Sequence, residues 1–308
     1  MNTIQNISKL LLFTSMIVLY NSSSFSQDTT GTNEPNTEYA ENIFTGTQLI
    51  NSQTTNTLLA KSRTFEIQHR FGKVGLDSGT VQQFLGLDLP SVIRLSLGWS
   101  ASDRLYFKIG RTNYLKTVDL EGKYLLIRQP NDKRVPVSVA FYFNASARTE
   151  KFPNVAKGAV FENSGKPFKY KFTHRLIYNS ELIVSSKLSE RITFLLTSAF
   201  IYRNLVSSGQ DNYTMAISAG GRYKFGLSSS MIFEYAHMIN NRTKNFQNPF
   251  SIGVEFGTVG HIFQIIISSS NKILESHVYT SSAGNVGKGE FFIGFNIQRI
   301  FWKKVKQE

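Results

Sequence analysis

Charged side chains recur at every second position inside otherwise apolar runs of this 308-residue chain, as in Asp119, Glu121 and Lys123 or Arg222 and Lys224. By the parity of these runs, eleven basic residues share a face, namely Arg70, Arg94, Lys108, Lys123, Arg148, Lys171, Arg175, Arg191, Arg203, Arg222 and Lys224. Six acidic residues join them: Glu66, Asp119, Glu121, Glu181, Glu234 and Glu255. If that face lines a confined passage, its cationic surplus attracts anions. The same residues can instead pair with one another and fill the interior, because enclosed charges must be paired or wetted. The pattern leaves both arrangements open.

Other chemistries find less support. His69, His174, His237, His261 and His277 do not pair at metal-ligand spacing, so no metal site is expected. A lipid hydrolase needs a nucleophile beside a histidine at a membrane interface. His174, near Thr173 and Ser180, is the one candidate, and a place in the interfacial belt explains it more simply. Gly220 and Gly221 lack the lysine and hydroxyl residue of a phosphate loop and read instead as strand glycines that turn a corner or receive a ring. No cysteine is present, which removes thiolate metal sites, disulfides and a lipid-modified cysteine. The formal charge of +13 is an electrostatic property rather than a chemistry. No enzyme, cofactor or nucleic-acid partner is expected.

The elements that must position these charges are strands. Residues Tyr213 to Phe225 alternate strictly: Tyr213, Met215, Ile217, Ala219, Gly221, Tyr223 and Phe225 face one way, and Thr214, Ala216, Ser218, Gly220, Arg222 and Lys224 the other. Residues Val135 to Arg148 repeat the pattern. Further strands are expected at about 63–71, 91–99, 105–112, 119–129, 169–187, 190–205, 230–239, 250–257, 261–269 and 290–302, twelve in all. Long polar connections at 72–90, 113–118, 149–168, 206–212, 240–249 and 270–289 alternate with short turns at 100–104, 130–134, 188–189, 226–229 and 258–260. This alternation belongs to an outer-membrane up-and-down antiparallel barrel with both termini periplasmic and long loops outside. Aromatic residues at strand ends, including Trp99, Tyr142, Tyr178, Tyr202, Tyr213, Tyr235, Phe256 and Trp302, are expected to anchor it at the two interfaces.

Outside the barrel at 63–302, residues 1–26 read as a signal peptide: Lys9, the apolar run Leu10 to Tyr20, then Ser24 and Ser26 before a mature start at Gln27. Residues 27–62 read as a flexible periplasmic leader; its second part, Ile43 to Ser62, is mixed enough to form a short helix or an extended lead-in. Residues 303–308 form a short basic tail. The expected partners are outer-membrane lipid, the barrel-assembly machinery during insertion, and an unidentified envelope protein docking on the loops at 149–168 and 270–289.

Several blocks, taken together, resemble a known family. They are FEIQHRFG (Phe65 to Gly72), GLDLPSVIRLSLGWSASDRLYFKIGRT (Gly86 to Thr112), KYLLIRQ (Lys123 to Gln129), YRNLV (Tyr202 to Val206), GGRYKF (Gly220 to Phe225) and GFNIQRIF (Gly294 to Phe301). The set is similar to the membrane-bound β-barrel domain family of unknown function found in Bacteroidota, over nearly all of Phe44 to Trp302. The family pattern carries a second glycine before the histidine of its G-H-x-F-Q block, where this chain has Val259 before Gly260 and His261. A second departure from common barrels is the end: Trp302 is followed by Lys303 to Glu308 rather than closing the chain. The resemblance implies outer-membrane residence and carries no catalytic role.

Overall fold

The computed structural model describes residues 38–40, 43–75, 79–240 and 246–302. The expected signal peptide, positions 27–37 and 41–42 of the leader, and the basic tail lie outside the described residues.

Twelve antiparallel strands form a closed barrel in which each pairs with its sequence neighbours and the last with the first. They are β1 (Arg63–Val74), β2 (Val92–Ser102), β3 (Leu105–Thr112), β4 (Thr117–Ile127), β5 (Ser138–Arg148) and β6 (Leu176–Lys187). The second half comprises β7 (Ile192–Arg203), β8 (Tyr213–Lys224), β9 (Ser229–Met238), β10 (Phe250–Thr258), β11 (His261–Ser268) and β12 (Phe291–Phe301). The seam is registered by Arg63↔Phe301 through Arg70↔Gly294 before a bulge toward Val74. All twelve expected strands are present. The connections alternate as expected except that β3–β4 spans only 113–116 and β4–β5 spans 128–137, so one end of the barrel carries mostly short turns and both strand termini, and the other most of the long loops.

Alternation places the polar set inside. On β2, Leu97 is 58% exposed and Ser96 only 3%. Likewise Phe141, Phe143, Ile217 and Tyr223 face out while Ser138, Asn144, Thr214 and Ser218 are buried. Leu95, Leu120, Phe194, Leu196, Phe200, Ile265 and Ile267 continue the apolar band around the barrel. A band of that kind is compatible with lipid, and closure leaves no strand edge unpaired in hydrocarbon. Rings stack at both margins: Trp99 on Phe107 at the turn end, with centroids 5.6 Å apart, and Phe143 on Tyr178 and Phe200 on Tyr213 at the loop end, 6.4 and 6.1 Å apart. Tyr142, expected in the interfacial belt, instead points into the lumen and is buried.

Two strand starts differ from expectation. The fifth begins at Ser138 rather than Val135, and the sixth at Leu176 rather than 169. Leu176 pairs with Ala147 and Ile177 with Arg203, at the ends of β5 and β7. Residues 169–175 therefore have no neighbouring strand to pair with. They instead lead into a helical turn at Phe172–Arg175, where His174 Nδ1 accepts the Lys171 amide at 3.1 Å. The His174 ring packs with Phe161 and Phe168, 5.8 and 5.9 Å away, within the loop. Its expected place on a strand's apolar face is thereby corrected.

Candidate functional site

The lumen is occupied by the chain itself. Residues 43–62, read from sequence as part of a flexible leader, enter from the turn end, and Phe44, Thr47, Leu49, Ile50, Asn51, Ser52, Gln53, Thr54 and Thr55 are buried. Part of the physical reason is local. A hairpin closes through Leu49 N→Ser52 O (2.9 Å), Thr54 N→Thr47 O (3.1 Å) and the Gln48↔Gln53 bridge, so the segment satisfies part of its own backbone. The wall satisfies much of the rest.

Glu234 on β9 accepts the amides of Asn51 and Ser52 at 3.0 Å and the Asn51 side chain at 2.7 Å. Lys123 on β4 donates to the carbonyls of Thr47 (2.7 Å) and Thr54 (3.0 Å). These strands lie five steps apart one way around the barrel and seven the other, so a carboxylate and an ammonium grip the hairpin from nearly opposite walls. Gln264 donates to Leu49 O at 2.6 Å and Asn296 to Ile50 O at 3.0 Å. Arg70 reaches Asn51 Oδ1 at 3.0 Å, and Arg222 reaches Thr45 Oγ1 at 2.8 Å. The Ser52 and Ser218 hydroxyls lie 3.0 Å apart, and Thr55 bonds Ser185. Gly220 explains how the wall admits the hairpin: a Cβ there would stand 2.7 Å from Leu49 Cδ2. Its neighbour Gly221 receives the Phe233 ring, as its sequence context suggested.

Around the hairpin the wall has two sectors. On β1–β4, Arg94 forks onto Asp119 (Nη2–Oδ2 2.6 Å, Nε–Oδ1 3.2 Å) and also meets Glu121 at 2.6 Å. Lys108 joins Glu121 and Glu66 at 3.2 and 3.1 Å. Glu66 further accepts from Thr47 and Ser96 at 3.3 Å and from Gln298. From β4 to β11 the wall carries an apolar arc of Leu125, Ala140, Tyr142, Ile183, Leu195, Ile232 and Ile266, which packs with Ile43, Phe44, Leu49 and Ile50.

A second filling descends from the loop end. In the connection 269–290, Ile273, Leu274, Glu275, Ser276, His277, Val278 and Tyr279 are buried. Val278 and Tyr279 pack on Ile177, Ile201, Ala216 and Met238. The two fillings touch: Gln53 donates to Glu275 at 2.8 Å, and the Ser52 and Tyr279 hydroxyls lie 3.4 Å apart. Burial, reinforced by Glu181 and Glu121, pushes the Glu275 carboxyl well above the usual carboxylate range. Burial drives the His277 imidazole down to about 3.

The seventeen charges expected on the lumen face separate by height. Eleven are buried in the interior: Glu66, Arg70, Arg94, Lys108, Asp119, Glu121, Lys123, Glu181, Arg222, Glu234 and Glu255. Those are five basic and six acidic residues, so the expected cationic surplus of the lumen is not found there. The other six, all basic, sit at the rims: Arg148, Lys171, Arg175 and Arg203 at the loop end, Arg191 and Lys224 at the turn end. At the turn end a cavity of about 930 Å³ is bordered by Arg128, Lys187, Arg222 and Lys224, with Glu38 and Glu190. Sequence reasoning missed the hairpin and Glu275. Among the described residues no group of histidine and carboxylate side chains is arranged to hold a metal ion.

Comparison with known proteins adds a family. A family model described as a membrane bound beta barrel domain matches residues 44–301. No curated protein sequence matches the chain. Among solved structures, an outer membrane channel from Pseudomonas putida F1 is similar at 12% identity and TM-score 0.49, over 80% of this chain and 98% of that one. The KdgM porin is similar at 6% identity and TM-score 0.47, over 78% and 99%. The NanC porin is similar at 7% identity and TM-score 0.47, over 78% and 100%.

Proposed function

The chain belongs to the membrane-bound β-barrel domain family, and from that premise we propose that it is a non-enzymatic outer-membrane channel for small polar solutes, shut at rest by its own N-terminal hairpin. One observation carries the reading. Of the two fillings, the hairpin that closes the turn end is held largely through its backbone by Glu234, Lys123, Gln264 and Asn296. Water can replace each of those partners, and withdrawal of the hairpin and of the descending loop dismantles no strand. The hairpin is continuous with β1 only through residues 55–62. In this reading the turn end and its cavity face the periplasm. Any anion preference arises at the basic rims, because the interior itself is nearly balanced.

A second reading, a filled barrel that anchors or docks an envelope protein, is favoured by the apolar arc. Burying Phe44, Leu49 and Ile50 against it is worth about 1.5–3 kcal/mol each. Planar-bilayer conductance separates the two. The intact chain is expected to be mostly silent, and a chain lacking both residues 43–58 and residues 272–281 to give steady channels. A deletion variant that folds, as judged by heat-modifiable gel migration, but conducts no ions sinks the channel and leaves the filled barrel.

A further inference from the structure

At the loop end, apart from the hairpin, the structure encloses a cavity of about 260 Å³ bordered by Arg148, Arg203, His277, Tyr114 and His174. We infer that this cavity is a binding site for one compact oxyanion, a carboxylate or phosphate group, taken from the external medium.

Two enclosed polar atoms there lack a hydrogen-bond partner among the described residues: Arg203 Nε and His277 Nε2. His277 is only 3% exposed, and an enclosed polar atom without a partner costs roughly 1–3 kcal/mol. Such a cost is recovered when a ligand supplies the missing acceptor. Arg203 ends β7 on the same inward parity as buried Ile201, and Arg148 ends β5 in line with buried Ser146. Both guanidinium groups therefore belong to the mouth of the lumen and not to its lipid face.

The local charge is cationic. Glu150 pairs with Arg148, while Arg175 spends its Nη1 on the carbonyls of Arg148 (2.9 Å) and Glu150 (2.5 Å). Lys272 stands 3.8 Å above the Tyr114 ring, which in turn meets His277 edge-on at 5.0 Å. Four cations, Arg148, Arg175, Arg203 and Lys272, thus stand against Glu150 and, on the His277 side, Asp119. A neutral imidazole protonated on Nε2 donates one hydrogen bond, and guanidinium groups present planar forks that match carboxylate and phosphate oxygens. A cation would meet repulsion, and an apolar ligand would leave the enclosed donors unpaired. The site lies outside the hairpin and does not depend on whether the lumen opens.

Calorimetric titration of the full chain in detergent micelles with inorganic phosphate, and separately with acetate, tests the site. Saturable one-to-one binding of at least one anion is expected, with the stronger of the two naming the ligand class. Arg203→Gln is expected to weaken it about tenfold or more, and Lys224→Gln at the far rim to leave it unchanged. Should Arg203→Gln fail to migrate as a folded barrel, Arg203→Lys replaces it, with weakening again expected because the fork and Nε are lost. Absence of saturable binding by either anion, or affinity unchanged in the folded Arg203 variant, overturns the proposal.

Discussion

Arg94 engages Asp119, Glu121 and Gln68 at once inside the barrel, so its removal leaves carboxylates enclosed without their main counter-charge. Arg94→Ala is expected to cost about 3–5 kcal/mol, read as a lower urea midpoint for unfolding from lipid vesicles. A change below about 1 kcal/mol, the scale of an exposed pair, would show that this cluster does not hold the wall. A pH dependence belongs to the same scale. His277 is held neutral with its pKa near 3 against an ordinary 6.5, so its contribution to loop docking is full above about pH 6.5 and lost as pH falls toward 3. Glu275 is raised above 4.5, so it acts oppositely: docking gains as pH falls to about 4.5 and nothing further below. Below 4.5 only the histidine loss continues. The loop at 269–290 is expected to undock between about pH 4.5 and 3, seen as faster thiol labelling of a Thr280→Cys variant, and His277→Gln should remove that response. Parity identified the inward charges from sequence, but it states a face and not a height. The interior balance stayed hidden because all six residues that fall at the rims are basic.

In the proposed channel, the hairpin is the filling that blocks the turn end of the lumen. Because the chain has no cysteine, a Ser52→Cys, Ser218→Cys pair, at hydroxyls 3.0 Å apart, can be oxidised to tether hairpin to wall. Any channel openings seen in the reduced double variant are expected to vanish on oxidation and return with reductant; openings unaffected by the cross-link would mean that solutes do not pass where the hairpin sits. The strands were legible because alternation, turn spacing and loop length all arise within the strand and its immediate neighbours. The hairpin was not, since its burial depends on partners such as Glu234 and Gln264, 183 and 215 residues away in the chain. A trace of it does exist in the strands. The runs Phe194–Leu195–Leu196, Met231–Ile232–Phe233 and Ile265–Ile266–Ile267 are apolar on both faces, which an inner wall meeting only water would not require. Leu195, Ile232 and Ile266 belong to the same buried apolar cluster as Phe44, Leu49 and Ile50.

For the molecule as a whole, the outward apolar band makes lipid part of the fold. Leu97→Arg, near the middle of β2, is expected to cost about 2–4 kcal/mol in a bilayer, whereas Leu227→Arg in an exposed turn should cost little. Equilibrium folding into vesicles distinguishes them, and equal effects would place the band outside hydrocarbon. The seam carries a further consequence. The hairpin immediately precedes β1, and the descending loop immediately precedes β12, so both fillings are leashed to the two strands that must find each other last. Their meeting at Gln53 and Glu275 spans 222 residues. Sealing β1 to β12 brings the two leashed segments into one enclosure, so closing this barrel also corks it.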